Sequence, residues 1–212
     1  MKKIILTLTI VILMTINGFA QYKPFQFGLN ISPSINITKS NCDFIENTGS
    51  HMSYNWGLIG NFYFVENYGI STGFSILNLR GAYTYNDPTV GEISSYIKNS
   101  YIEIPLSMTM RTEKIGKFRI VGNIGYGLGF RLKSKQIAMD SSSNPVEIND
   151  QFRLLRHALI LKIGTEFNVY KSSCISAHLV YNNNFSNIYK NNNTSEPNIS
   201  LNSLSLEIGF VF

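Results

Sequence analysis

From Phe25 to Phe212 segment after segment of the chain alternates apolar and polar residues with a period of two, and no stretch of it carries a convincing helical period. The clearest run is "FRIVGNIGYGLGFRL", residues 118 to 132. Phe118, Ile120, Ile124, Tyr126, Leu128, Phe130 and Leu132 share one face, while Arg119, Val121, Asn123, Gly125, Gly127, Gly129 and Arg131 share the other. The same alternation recurs in "FQFGLNIS", "YNWGLIGNFYF", "YGISTGFSILNL", "YIEIPLSMTM", "HALILKIGTEFNV", "CISAHLVYNNNF" and the terminal "LSLEIGFVF", which makes eight strands. Pro105 cannot donate to a ladder, so a bulge or kink is expected near the middle of its strand.

The connections between these strands fall into two length classes. Three are tight: Glu66–Asn67, Glu113–Gly116 and Tyr170–Ser173. Four are long and polar, spanning roughly 36–53, 81–97, 133–151 and 184–199, and long strictly alternates with short. A transmembrane barrel segregates its loops in this way, with short periplasmic turns and longer extracellular loops. The expected fold is therefore all-β, an eight-stranded antiparallel up-and-down transmembrane β-barrel of the outer-membrane type. Volume decides which face is outside. An eight-stranded barrel has an interior just wide enough for side chains to fill, and five bulky residues from each strand would not fit there. The glycines and small polar residues belong inside and the Phe, Tyr, Leu and Ile face lipid. A soluble lipocalin-like barrel is the competing architecture.

Residues 1–20, "MKKIILTLTIVILMTINGFA", have the layout of a cleaved secretory signal peptide, with Lys2 and Lys3 before an apolar run and small residues before Gln21. The barrel domain is then 21–212, in the bacterial outer membrane, with both termini periplasmic. The last strand is expected to close the barrel against the first, with Phe210 and Phe212 forming a C-terminal assembly signal. Setting Lys2 and Lys3 aside leaves 16 basic and 13 acidic residues, and no basic patch argues for nucleic acid. The two cysteines, Cys42 and Cys174, are assigned to opposite ends of the barrel and are not expected to pair.

At "YIEIPLSMTM" and at "GISTGFSILNLRGAY" before it, the chain resembles the PorT-like outer-membrane β-barrel family of Bacteroidetes. The likeness spans most of residues 22–212. It implies a Gly-rich strand after the Y-I-E-I-P-L start, an aromatic terminus and an outer-membrane location. It carries over no catalytic residue, and the family's namesake is associated with protein secretion.

Seven ionisable residues fall on the small, polar face: Glu103, Arg119, Arg131, Lys162, Glu166, His178 and Glu207. Charges taken from bulk water must pair or be hydrogen-bonded. Arg119 with Glu166, and Lys162 with Glu207, are expected to cross-brace and plug the lumen, and reach of Arg119 into periplasmic water is the competing reading. "HMS" at 51–53 is similar to the His-x-Ser of small outer-membrane lipid deacylases, but it sits at the end of a long loop. No catalytic, cofactor or metal site is assigned, since no His or Cys pair has ligand spacing. The function expected is a non-enzymatic barrel, structural or partner-binding through its extracellular loops, in support of an envelope or secretion assembly. The alternative is a lipid-modifying enzyme resembling a lipid A deacylase. Expected partners are outer-membrane lipid and lipopolysaccharide, the barrel assembly machinery through the C-terminal strand, and an envelope protein.

Overall fold

A computed structural model of the chain describes residues 24–40, 45–47, 49–87, 91–138, 152–170, 173–190 and 198–212. The leader at 1–20 and Cys42 lie outside them. Nine strands run in these segments: β1 (Phe25–Ser40), β2 (Ile45–Asn47), β3 (Ser50–Val65), β4 (Tyr68–Asp87), β5 (Gly91–Arg111), β6 (Phe118–Ala138), β7 (Leu155–Tyr170), β8 (Ser173–Asn184) and β9 (Ile199–Val211). All pairings are antiparallel. Eight strands close a ring in the order β1, β3, β4, β5, β6, β7, β8, β9 and back to β1, and β2 pairs only with the outer end of β4. Phe212 and Phe27 exchange both backbone hydrogen bonds, at 2.7 and 3.1 Å, at the seam between β9 and β1.

The register fixes the barrel's dimensions. Stepping from strand to strand across paired residues leads from Phe25 through Phe62, Ile70, Met108, Ile124, Leu161, Tyr181 and Leu204 to Ile35, ten residues along β1 from the start. Ten residues at about 3.3 Å, against eight gaps of about 4.8 Å, tilt the strands by about 40°. Every residue on that circuit is apolar and faces outward. On β1 the outward residues Phe25, Phe27, Leu29 and Ile31 are more than half exposed, while Ser32, Ser34, Asn36 and Thr38 are buried inside. From Phe25 to Ile37 the apolar face spans twelve steps along a tilted strand, which rises about 30 Å, one bilayer core. The exposed apolar surface is thus a lipid-facing band.

The strands are longer than the apolar periodicity implies. β4 and β5 run 20 and 21 residues, so 81–97 is mostly a continuing hairpin rather than a loop, and β6 extends to Ala138 through the start of 133–151. Above the band the outward positions become Asn78, Arg80, Ser100, Lys98 and Lys133, so the ladder continues after its apolar signature stops. Pro105 also departs from expectation. It stays in register opposite Gly127, and the β4–β5 ladder simply lapses beside it, between Thr72–Leu106 and Ser75–Glu103. The hydroxyl of Thr72 donates to the Pro105 carbonyl at 2.9 Å across that lapse. The bulge of β5–β6 lies higher, where Leu132 has no opposite residue between Tyr101–Arg131 and Ser100–Lys133.

At the tight end, Ile115 and Phe118 pair around a two-residue turn, and Gly116 sits at φ +66°, a left-handed conformation that a side chain would strain. Lumen clearance is equally specific at Gly164, where an added Cβ would run into the Ala177 carbonyl and His178.

The band makes a depth-dependent prediction. Ile124→Arg, at mid-height, should destabilise the folded barrel in lipid vesicles by about 2–4 kcal/mol, and Phe25→Arg, at the rim, by about 0–1 kcal/mol. The lipid-facing Trp56, the one tryptophan of the chain, reports the unfolding by fluorescence. Equal costs at the two positions would refute the depth assignment.

Candidate functional site

The inward faces of the strands meet in a lumen where charged residues lie in tiers. In the middle tier, Lys162 of β7 donates to both oxygens of Glu207 of β9, at 3.0 and 2.9 Å. The Glu207 carboxylate also accepts from Asn30 Nδ2 of β1 at 2.7 Å, and His178 Nδ1 of β8 lies 3.5 Å from its other oxygen. Two neighbouring strands are thereby hydrogen-bonded to one buried carboxylate of β9, and a third brings His178 beside it. Voids of about 30 Å³ flank this tier on either side, each with room for a water molecule. Lys162 and Glu207 line both, so the pair stands between them.

Nearer the long-connection end, Arg156 of β7 donates to Glu103 of β5, and both side chains are almost wholly buried. Gly127 and Gly129 of β6, between these strands, leave the space: a Cβ at Gly127 would press on the Glu103 carboxylate, and one at Gly129 would lie 3.1 Å from Arg156 Cβ. Arg156 is a partner that the sequence reading missed, because it began that strand at His157. Its signal was phase, since it shares parity with Ala158, Ile160 and Lys162.

At the tight end, Arg119 and Glu166 are direct cross-strand neighbours, but the ion pair that Arg119 makes is with Glu66, at 3.2 Å. The Arg119–Glu166 bridge expected from the sequence does not form, because the guanidinium turns towards the rim. Glu66 sits in the β3–β4 turn with a largely exposed side chain, so Arg119 reaches the rim. Arg111 donates to the Glu66 carbonyl at 2.7 Å and lies 3.7 Å over the Tyr63 ring, a cation–π contact. Glu166 stays buried on the same floor. Cys174 is buried there too, as a free thiol.

The mouth at the long-connection end is closed by apolar packing. Phe152 and Ile188–Tyr189, from the connections after β6 and β8, turn inward onto Leu77, Leu79, Tyr83, Ile97 and Tyr101. Phe152 stacks on Tyr189 at 4.9 Å, and the Tyr189 and Tyr83 hydroxyls lie 2.9 Å apart. Arg131 is not in the ion-pair tiers. Its guanidinium donates to the carbonyls of Phe152 and Arg153 and holds this plug from β6.

His51 and Ser53 do not form a relay. Ser53 Oγ lies 2.7 Å from Ser34 Oγ and accepts from Asn36 Nδ2 at 2.8 Å, while the His51 ring meets Tyr96 edge-on at 5.0 Å. Among the described residues no three of His, Cys, Asp and Glu gather as metal ligands would. Phe210 and Phe212 are lipid-facing at the tight-end rim, with ring centroids 6.3 Å apart.

Residues 19–190 match the family model of the outer membrane protein beta-barrel domain. No curated protein matches the chain in sequence. Among solved structures, the outer membrane protein OprG from Pseudomonas aeruginosa is similar with a TM-score of 0.51 and 10% identity, covering 90% of this chain and 97% of that one. Neisserial surface protein A gives 0.46 and 11%, covering 87% and 95%. The outer membrane protease OmpT from Escherichia coli gives 0.46 and 11%, covering 91% and 98%. At these identities the likeness to OprG is one of fold.

The middle tier should behave as one unit. Glu207→Gln strands the Lys162 ammonium and should cost about 3–5 kcal/mol, whereas Lys162→Met with Glu207→Leu removes both charges and should cost markedly less. Urea unfolding in detergent micelles measures both. A double variant as unstable as the sum of its single changes would show that the two side chains act independently.

Proposed function

This chain belongs to the outer membrane protein beta-barrel domain family, and from that premise we propose that it is a sealed, non-enzymatic scaffold of the outer membrane, which engages a partner through the parts rising above the bilayer. The observation that carries the reading is the closed lumen. Charge pairs tie the wall together across the interior, and Phe152, Ile188 and Tyr189 close the outer mouth. A conducting barrel needs a wider, water-filled interior. What a solute cannot pass through, a partner can still grip. The β4–β5 hairpin and the outer part of β6 extend well past the apolar band and supply a rigid platform for that contact.

In this reading both termini and the tight turns face the periplasm, and the long connections face outward. Phe210 and Phe212, presented on the wall beside the seam, are the segment that barrel assembly machinery engages. The resemblance to PorT-like proteins supports a place beside an envelope or secretion assembly. The hydroxyl of Ser53, held by Ser34 and Asn36, gives no support to acyl transfer.

Planar-bilayer recording tests the reading. The purified protein should show no stable single-channel conductance, and Phe152→Ala with Tyr189→Ala should produce at most brief openings, because the Lys162–Glu207 tier remains below. Steady conductance in the unaltered protein would overturn the scaffold reading. Co-purification from native membranes, with and without the outer part of the β4–β5 hairpin, identifies the partner.

A further inference from the structure

The barrel wall has a notch where β8 ends early. The β8–β9 ladder stops at Asn182–Ser203, whereas β9 stays paired with β1 as far as Ser40–Ile199. Beyond Asn184 the chain leaves the wall and turns inward, carrying Ile188 and Tyr189 into the plug. A cavity of about 210 Å³ occupies the gap, with room for several waters. Four carboxamides line it, those of Asn183, Asn184, Asn187 and Asn198. Asparagine is depleted in strands, yet 182–187 and 198–202 carry six asparagines and no Asp or Glu. Three of the six serve the backbone. The Asn184 carboxamide closes on the Ser186 carbonyl and N–H at 3.0 and 3.3 Å, and Asn187 Oδ1 accepts from the N–H groups of Tyr189 and Ile199. Asn202 Oδ1 accepts from the Asn184 N–H at 2.9 Å. These bonds stand in for the missing ladder and fix the floor of the notch. At its rim the side chains of Asn183, Asn198 and Ser200 have no such task and make no hydrogen bond among the described residues.

We propose that this notch binds one neutral sugar ring of a glycan. A sugar hydroxyl both donates and accepts, and a carboxamide carries a donor and an acceptor side by side, so one Asn side chain can engage two adjacent hydroxyls. Asn183, Asn198 and Ser200 converge on the cavity with that chemistry. Phe185, also in the lining and 61% exposed, offers an apolar surface to the C–H face of the ring. Charge argues against other occupants. Among the described residues the lining holds no carboxylate, which a divalent cation would need, and a single cation, Lys39, where a phosphate or sulfate would be gripped by several. The hydrogen-bonded floor is already ordered, which lowers the entropic cost of binding. Lys39 and Phe185 lie at the long-connection edge of the band, so the notch is open to a glycan in solution and to one borne on a lipid. The inference rests on the shape and chemistry of the notch, not on the scaffold reading.

Saturation-transfer NMR of the full-length protein in phosphocholine micelles tests this with the methyl glycosides of glucose, galactose, mannose and N-acetylglucosamine. At least one of them should receive saturation, strongest at the ring protons on its apolar face. Asn183→Ala with Ser200→Ala should weaken its affinity by about tenfold, and Phe185→Ala by about fivefold with loss of the preference for that face. Asn198→Ala, which lies before β9 and touches no ladder, should weaken binding about threefold, so the proposal stays testable if the double variant folds poorly. Asn168→Ala, an amide change at the tight end, should leave the affinity unchanged. No saturation of any of these glycosides would overturn the proposal, as would equal affinities for the unaltered protein and the notch variants. Binding of inorganic phosphate that is lost in Lys39→Gln, with none of the glycosides bound, would make the notch an anion site and overturn it too. The source of the sugar is read by placing the bound glycoside on a diacylglycerol in bicelles. Displacement by an equal concentration of the free glycoside assigns a soluble glycan, and resistance to displacement assigns one held at the membrane.

Discussion

Everything in this molecule follows from the need of backbone N–H and C=O groups for partners where lipid offers none. A sheet in that setting has to close. Here closure is made by the seam between the first and last strands of the barrel, down to the paired backbone of Phe27 and Phe212. Once eight strands close with a stagger of ten residues, the radius follows, at about 8 Å to the backbone. That radius sorts the side chains. Phe, Tyr, Leu and Ile are tolerated outside at no cost in volume, and within the band the wall admits mostly Ser, Asn and Gly with a few long charged chains between them, while bulky apolar residues such as Leu79, Ile97 and Tyr101 fill the interior only under the plug.

The charged chains inside are an answer to a packing problem as much as an electrostatic one. A small barrel has to fill its interior, and residues that reach across it also have to satisfy their own polar heads. Glu207 does so with Lys162 and Asn30, from two other strands, with His178 of a third close by. Arg156 and Glu103 do it with glycines opposite, which shows how tightly size and charge are matched. Buried ion pairs contribute little net stability over a hydrophobic filling, but losing one partner is expensive.

The lipid-facing half of this design was legible in the sequence, because lipid imposes an uninterrupted period of two on every strand from Phe25 to Phe212. Legibility ended where lipid ended. Beyond Ile76, Ile102 and Phe130 the outward residues are polar, and the ladder there could be found only from pairing, not hydropathy. Lys162 and Glu207 were placed by phase and depth. Glu66 carries no such mark as a partner of Arg119, because a turn residue's side chain follows no phase. Phe152, Ile188 and Tyr189 lie in polar connections with no period at all, and only the fold reveals that they turn inward.

The stacked rings of Phe152 and Tyr189 join two connections that are far apart in the chain, one after β6 and one after β8. The joint is completed by Arg153 and Ile188 through a backbone hydrogen bond of 2.8 Å, and by Arg131 beneath. These two segments are physically coupled, so a change in one is felt in the other. A surface loop is usually free to be exchanged, lengthened or grafted from a relative, but either of these, moved alone, would arrive without the ring it stacks on. Their inner ends form a single packed unit, so an exchange of one connection alone removes the ring stack, the backbone hydrogen bond and the Arg131 contact together.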